Sequence, residues 1–165
     1  MSGFKETQPN IEHKSPEIRV EKYESNSWAD IRESIMAIED AVFNQTGYGE
    51  GMMESLFENK DNLNYLLKNT DGKIIGYTQA LIRGNSAYIM NTAITPEHQG
   101  KGSVAVLMQD LEEELRARGV KWITRDSVVE NGYADKIQKH YGDRIVETHE
   151  RESSWGLQRY FRIRL

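Results

Sequence analysis

The chain has 165 residues, a length that suits one domain with a sizeable core and leaves little room for a second. Hydrophobic residues make up 38% and charged residues 28%, with 13 glycines and 3 prolines, which excludes collagen-like, low-complexity and disordered chains. The net charge of −5 argues against broad electrostatic binding of nucleic acid, and the absence of cysteine removes disulfides, thiolate–metal sites and a cysteine nucleophile.

No apolar run approaches the roughly 18 residues of a membrane-spanning helix, and the opening MSGFKETQPN lacks a signal peptide's apolar segment. A cytoplasmic protein without membrane contact is expected. Residues 1–16 are polar, hold Pro9 and Pro16 and show no periodicity, so a flexible arm is expected there and a single domain over 17–165. Ile18 to Tyr23 alternates apolar and polar residues as a half-buried strand does. Ser27 offers a helix N-cap, and Trp28, Ile31, Ile35, Ile38 and Val42 recur at the spacing of one apolar helix face. The glycines of Gly47-Tyr48-Gly49-Glu50-Gly51 break that helix, and a shorter one carries Met52, Met53, Leu56 and Phe57.

Leu63–Leu67 and Lys73–Ile82 flank an Asn-Thr-Asp-Gly loop and read as a β-hairpin, which Tyr88–Ile94 extends into a meander. Val104, Leu107, Met108, Leu111 and Leu115 mark another helix face, ended by Gly119. Val120–Val129 is a strand, Asn131–Tyr141 a helix, and Ile145–Thr148 and Tyr160–Ile163 are closing strands. The order is β-α-α-β-β-β-α-β-α-β-β, a mixed α/β domain.

The segment most informative about chemistry is Ile94-Thr95-Pro96-Glu97-His98-Gln99-Gly100-Lys101-Gly102-Ser103, between a strand and an amphipathic helix. Glycines let the backbone approach a ligand, and a helix start offers unpaired N–H groups and a positive dipole end to an anion. The segment lacks the Gly-Lys-Ser/Thr ending of a P-loop and the third glycine of a dinucleotide fingerprint. Read alone, it is either an anion-binding loop or a structural turn. The histidines at 13, 98, 140 and 149 are scattered without metal-ligand spacing, so no metal is expected.

Gln99-Gly100-Lys101-Gly102, placed after a strand and before a helix, resembles the Gln/Arg-x-x-Gly-x-Gly/Ala motif of the GCN5-related N-acetyltransferases, the GNAT family. A second match is Asn131-x-x-Ala134 at the start of the late helix, followed by Gly142. The resemblance covers roughly residues 17–165 and implies a GNAT fold that binds acetyl-CoA and passes its acetyl group directly to a primary amine: a protein N-terminus, a lysine or a small molecule. It implies that main-chain groups of Thr92, Ala93 and Ile94 meet the pantetheine arm. It also implies that amides of Gln99, Gly100, Lys101, Gly102, Ser103, Val104 and Ala105 cradle the pyrophosphate and that Asn131 contacts the pantetheine. The strands before and after the motif helix should splay apart around the thioester. Dimerisation is common in the family, so a homodimer stays open.

The chain departs from the family at three positions, the smallest being Asp143 in place of the usual phenylalanine after Gly142. Val104 stands where Gly or Ala is usual, putting two methyl groups beside the expected phosphate. Gln138 occupies the position of the thiolate-protonating tyrosine, and glutamine releases no proton. Tyr141, three residues on, either substitutes as the acid or packs at the helix end. A glutamate that members carry on the fifth strand falls at Asp126, the candidate general base. Glu39, Glu50 and Glu54 lie on the segment that walls the acceptor site in the family, and Tyr48, Met52, Met53 and Phe57 either line that site or fill the core. The departures leave open a non-catalytic acyl-CoA-binding or regulatory module on the same fold.

Overall fold

The computed structural model describes residues 18–24, 27–44 and 47–165; the expected arm at 1–16 lies outside the described residues. Strand β1 (Ile18–Lys22) leads into helices α1 (Trp28–Phe43) and α2 (Glu50–Glu58), and then into the meander β2 (Asn62–Asn69), β3 (Ile74–Arg83) and β4 (Ser86–Ile94). Helix α3 (Ser103–Ala117), strand β5 (Trp122–Val128), helix α4 (Tyr133–Tyr141) and the strands β6 (Ile145–Ser153) and β7 (Gly156–Arg164) complete the chain. This is the α/β order expected from the sequence.

All seven strands join one sheet in the order β1-β2-β3-β4-β5-β7-β6. Neighbours from β1 to β4 and along β5-β7-β6 are antiparallel, with short turns joining β2 to β3, β3 to β4 and β6 to β7. The α3 crossover makes β4 and β5 parallel, as a long helical connection does.

The helices cover both faces. On one, Ile31, Ile35 and Ile38 of α1 and Met53 and Phe57 of α2 pack on Leu66, Tyr77 and Ala93 of the sheet. The Phe57 ring sits 5.2 to 5.7 Å from those of Tyr23, Trp28 and Tyr77. On the other face, Leu107, Leu111 and Leu115 of α3 and Ile137 of α4 pack on Leu67, Ile89, Ile123 and Phe161. Each such side chain contributes about 1.5–3 kcal/mol on burial, so the two apolar layers hold α1–α2 and α3–α4 firmly to opposite sides.

Three local differences from the sequence reading have physical causes. Ser27 is the residue at the α1 N-cap but makes no side-chain capping bond. Helix α4 begins at Tyr133 rather than Asn131, because Asn131 Oδ1 accepts the Tyr133 N–H (2.9 Å) in an Asx turn and Gly132 takes φ +78°. The last two strands are longer than their apolar residues suggest. Most of β6 faces solvent, so its extent follows from cross-strand pairing with β7 and not from hydrophobic alternation.

Candidate active site

Strands β4 and β5 pair over only three rungs, Ser86–Trp122, Ala87–Ile123 and Tyr88–Thr124. Beyond them β4 runs on through Ile94 and β5 through Val128 without further pairing, so the strands part toward their C-terminal ends. A bulge marks the place. Gln79 of β3 faces Asn91 while the next residue, Ala80, faces Ile89, which leaves Met90 as the extra residue of β4. Bulges bend and twist the strand that carries them. Thr92, Ala93 and Ile94 lie past this bend on the unpaired stretch. Thr92 Oγ1 meets Thr78 Oγ1 at 2.9 Å, Ile94 joins the core under α3, and Ala93 joins the core under α1.

The α3 start closes one end of the opening. Gly100 and Gly102 hold φ of +76° and +77°, in the left-handed region that L side chains resist, and a Cβ at either position would meet nothing within 4 Å. The loop is fixed by its own polar atoms: Gln99 Nε2 donates to the Ile94 carbonyl (2.8 Å), Thr95 Oγ1 meets His98 Nδ1 (2.8 Å), and Ser103 Oγ donates to the His98 carbonyl (3.3 Å). Gly102 is the N-cap and supplies no side-chain acceptor, so the amides of Ser103, Val104 and Ala105 begin the helix without intrahelical partners. Lys101 and Ala105 are exposed beside them. Val104 turns its methyl groups into the core cluster under α3, which removes the obstacle that its replacement of Gly or Ala presented in the sequence.

A residue that the sequence reading passed over stands in the same opening. Arg125 lies on β5 one residue beyond the last rung shared with β4, is 6% exposed, and its Nε has no hydrogen-bond partner. Alternation along β5 sends Ile123, Arg125 and Ser127 toward α3 and α4, where Tyr133 and Tyr141 feel the guanidinium's charge. A buried cation with an orphaned donor fits a ligand bearing carbonyl or anionic oxygens. These features suit the coenzyme A portion of a thioester donor: glycine-led amides for the phosphates, an open strand edge for the amide arm, and a buried donor within the cleft.

On the opposite face the same alternation directs Thr124 and Asp126 toward the α1–α2 side. Asp126 Oδ1 accepts from Arg151 Nη2 of β6 (2.8 Å) and its Oδ2 accepts from the Tyr88 hydroxyl (3.3 Å). Its side chain is 11% exposed and that of Arg151 55%. Tyr160 of β7 pairs with Asp126 across the strands, and His149 stacks on its ring at 4.8 Å. Burial raises the Tyr88 hydroxyl above the usual phenol range, and the Asp126 charge adds to this.

Behind this face Glu39 is 1% exposed. Its Oε1 accepts from the Tyr77 hydroxyl and from Asn91 Nδ2 (3.2 Å), and its Oε2 accepts the Tyr48 N–H (3.0 Å). Burial pushes its carboxyl above the usual carboxylate range, while the hydrogen bonds pull the other way. A Cβ at Gly47 would stand 2.9 Å from Glu39 Oε2, so the loop passes over the carboxylate at a distance only glycine permits. Glu50 is ion-paired with Arg32, and Glu54 is exposed. Met53 and Phe57 belong to the core, whereas Tyr48 and Met52 are 42% and 54% exposed.

The two candidate catalytic residues do not meet. Asp126 faces the α1–α2 side, and Tyr141 is buried under α4 on the other, its hydroxyl donating to Glu112 Oε2 (3.4 Å). Arg144 Nη2 donates to the second oxygen of Glu112 (2.7 Å). Burial, first, and the Glu112 charge push the Tyr141 hydroxyl up to about 12. Gln138 is exposed and its Oε1 accepts from Arg159 Nη1 (2.8 Å). Among the described residues, no group of three or more His, Asp or Glu is placed to hold a metal ion, and no helix is long and apolar enough to cross a membrane.

The chain and its fold match known proteins. The family described as acetyltransferase (GNAT) family matches residues 28–135, and the chain belongs to it. The ribosomal-protein-S18-alanine N-acetyltransferase of Escherichia coli superposes with a TM-score of 0.72 at 20% identity, over 90% of this chain and 92% of that one. The PaiA N-acetyltransferase of Thermoplasma acidophilum, solved in complex with coenzyme A, gives 0.66 at 15% identity, over 90% and 99%. A chimera of the Vibrio cholerae spermidine N-acetyltransferase gives 0.68 at 18% identity, over 90% and 95%. No curated protein sequence matches the chain.

Proposed function

We propose that the protein transfers an acetyl group from acetyl-CoA to a primary amine. The observation that carries this reading is the parting of β4 and β5 after Tyr88 and Thr124, with the glycine-led start of α3 at one end and Asp126 beside the gap. Acetyl-CoA supplies, when bound, the thioester carbonyl that the amine attacks.

The chain's own groups do the rest. The amides of Ser103, Val104 and Ala105 and the positive end of α3 hold phosphate oxygens, and the open edge of β4 over Thr92, Ala93 and Ile94 aligns the amide arm. Arg125 donates to carbonyl oxygens of that arm, and Asn131 stands at the mouth. On the far side Asp126 draws the acceptor's ammonium to the gap and takes its proton, which passes on to water, so the amine presents a lone pair. As the N–C bond forms and the C–S bond breaks, the second amine proton leaves through the same acid and water. The thiolate is protonated from solvent, because Tyr141 is held by Glu112 on the other face. A cytoplasmic setting goes with this reading.

Calorimetric titration with acetyl-CoA, followed by measurement of thiol release with a panel of amines, tests it. Micromolar binding together with amine-dependent release is expected. Binding without stimulation by any amine would favour a non-catalytic acyl-CoA-binding module, and absence of binding would overturn both.

A further inference from the structure

The acid beside the cleft is already paired with a cation, and the nature of that pair bears on the acceptor. Arg151 reaches Asp126 Oδ1 from β6, a strand whose side chains mostly face solvent. The guanidinium is more than half exposed, so water screens its side of the pair and it exchanges readily. An acceptor ammonium arriving at Asp126 competes for the oxygen Arg151 holds and releases the guanidinium in place. Arg151 then stands beside the bound amine, with donors in a fork that matches a carboxylate. The flanking groups are aromatic: Tyr88 on one side and Tyr160 with stacked His149 on the other. The other arginines of β7 on this face, Arg162 and Arg164, lie over the Trp122 ring at 4.5 and 5.9 Å.

We propose that Asp126 and Arg151 together read a zwitterion, and that the acceptor is an amine carrying a carboxylate within two or three bonds, as in an α-amino acid. The inference rests on the acetyl-transfer reading. The ammonium replaces the guanidinium on Asp126, and the carboxylate takes the guanidinium. Arg151 is a specificity residue, and the aromatic flanks favour acceptors with an apolar or aromatic side chain over small polar ones.

The experiment compares kcat/KM for free α-amino acids against their α-carboxamides, and against a diamine such as putrescine, in the wild-type protein and in Arg151→Gln, Arg151→Lys and Arg151→Glu. The wild type should prefer the carboxylate over the carboxamide by at least about tenfold, as expected for a charge-assisted bidentate pair. Arg151→Gln should bring that ratio close to one, mainly through KM. Arg151→Lys should recover part of it, and Arg151→Glu should shift the preference toward the diamine. Equal use of carboxylate and carboxamide by the wild type, or a ratio that survives Arg151→Gln, would overturn the zwitterion inference while leaving acetyl transfer intact. Failure of every amine, with cofactor binding intact, would overturn the transfer reading and this inference with it.

Discussion

On the α3–α4 face the groups assigned to the proposed donor site are main-chain amides set by Gly100 and Gly102, with Arg125 as a side-chain donor nearby. On the α1–α2 face they are side chains gathered from four strands: Tyr88 on β4, Asp126 on β5, Arg151 on β6 and Tyr160 on β7. The first kind of site depends on backbone dihedrals, so its residues sit close together in the sequence and tolerate change outside the glycines. The second kind depends on strand order and register, which bring together residues far apart in the sequence. A fold that keeps its donor site while varying its acceptor site has this division available to it.

The sharpest break of that comparison comes from Asp126→Asn, which removes the acid from the second face only. Turnover at neutral pH should fall by about 100-fold or more, the range of a lost general base, while calorimetric affinity for acetyl-CoA stays within about twofold. If turnover holds, Asp126 is structural and the face has no base at that position. The converse change, Gly102→Asp, places a carboxylate at the α3 N-terminus, where the dipole and free amides otherwise favour an anionic ligand. Acetyl-CoA binding should weaken by about 30-fold, near 2 kcal/mol, because aspartate tolerates the left-handed backbone but repels phosphate. Unchanged affinity would remove the phosphates from that helix start.

Glu39→Gln probes the support of the acceptor face. Each Glu39 oxygen accepts from a donor, so the amide NH2 must face one of them, and a loss of about 1–2 kcal/mol in denaturation at pH 7 is expected. The sign of the pH dependence follows from burial. The native carboxyl binds its proton more tightly than the unfolded one, so wild-type stability falls as pH rises from the ordinary glutamate range through the raised native value, and levels off above it. Glutamine lacks this term, and the deficit of the variant should therefore widen as pH is lowered through that window. A constant gap would mean that the carboxyl titrates alike in both states. The smallest effect is expected for Tyr141→Phe. Its hydroxyl makes one long bond to Glu112, so stability should drop by about 1 kcal/mol or less and turnover by less than about twofold. A large fall in turnover with unchanged stability would reinstate Tyr141 as the acid.

The same contrast explains what could be read from the sequence. The element order, the apolar faces of α1 and α3 and the glycine-led helix start were all visible, because each is a local pattern of spacing or backbone need. Val104's place in the motif suggests contact with phosphate, and only the fold shows that its side chain also packs partly against the core under α3. Arg125 carried no local signal, since a lone arginine in a strand looks like any half-exposed charge until the sheet shows which way it points. The Asp126–Arg151 pair spans 25 residues and depends on β7 lying between β5 and β6, and the Glu39–Tyr77–Asn91 cluster joins a helix to two strands. Such contacts belong to topology, and no periodicity announces them.

Strand β6 lies at the edge of the sheet, with nearly all of its side chains in water and charges along its length. Charged edges discourage strand addition by other molecules. Exposed substitutions away from special features usually change stability by less than about 0.5 kcal/mol, so β6 is a segment on which mutation is nearly free. Because Arg151 on this exposed strand reaches Asp126, the proposed acceptor preference can change there at little cost to folding.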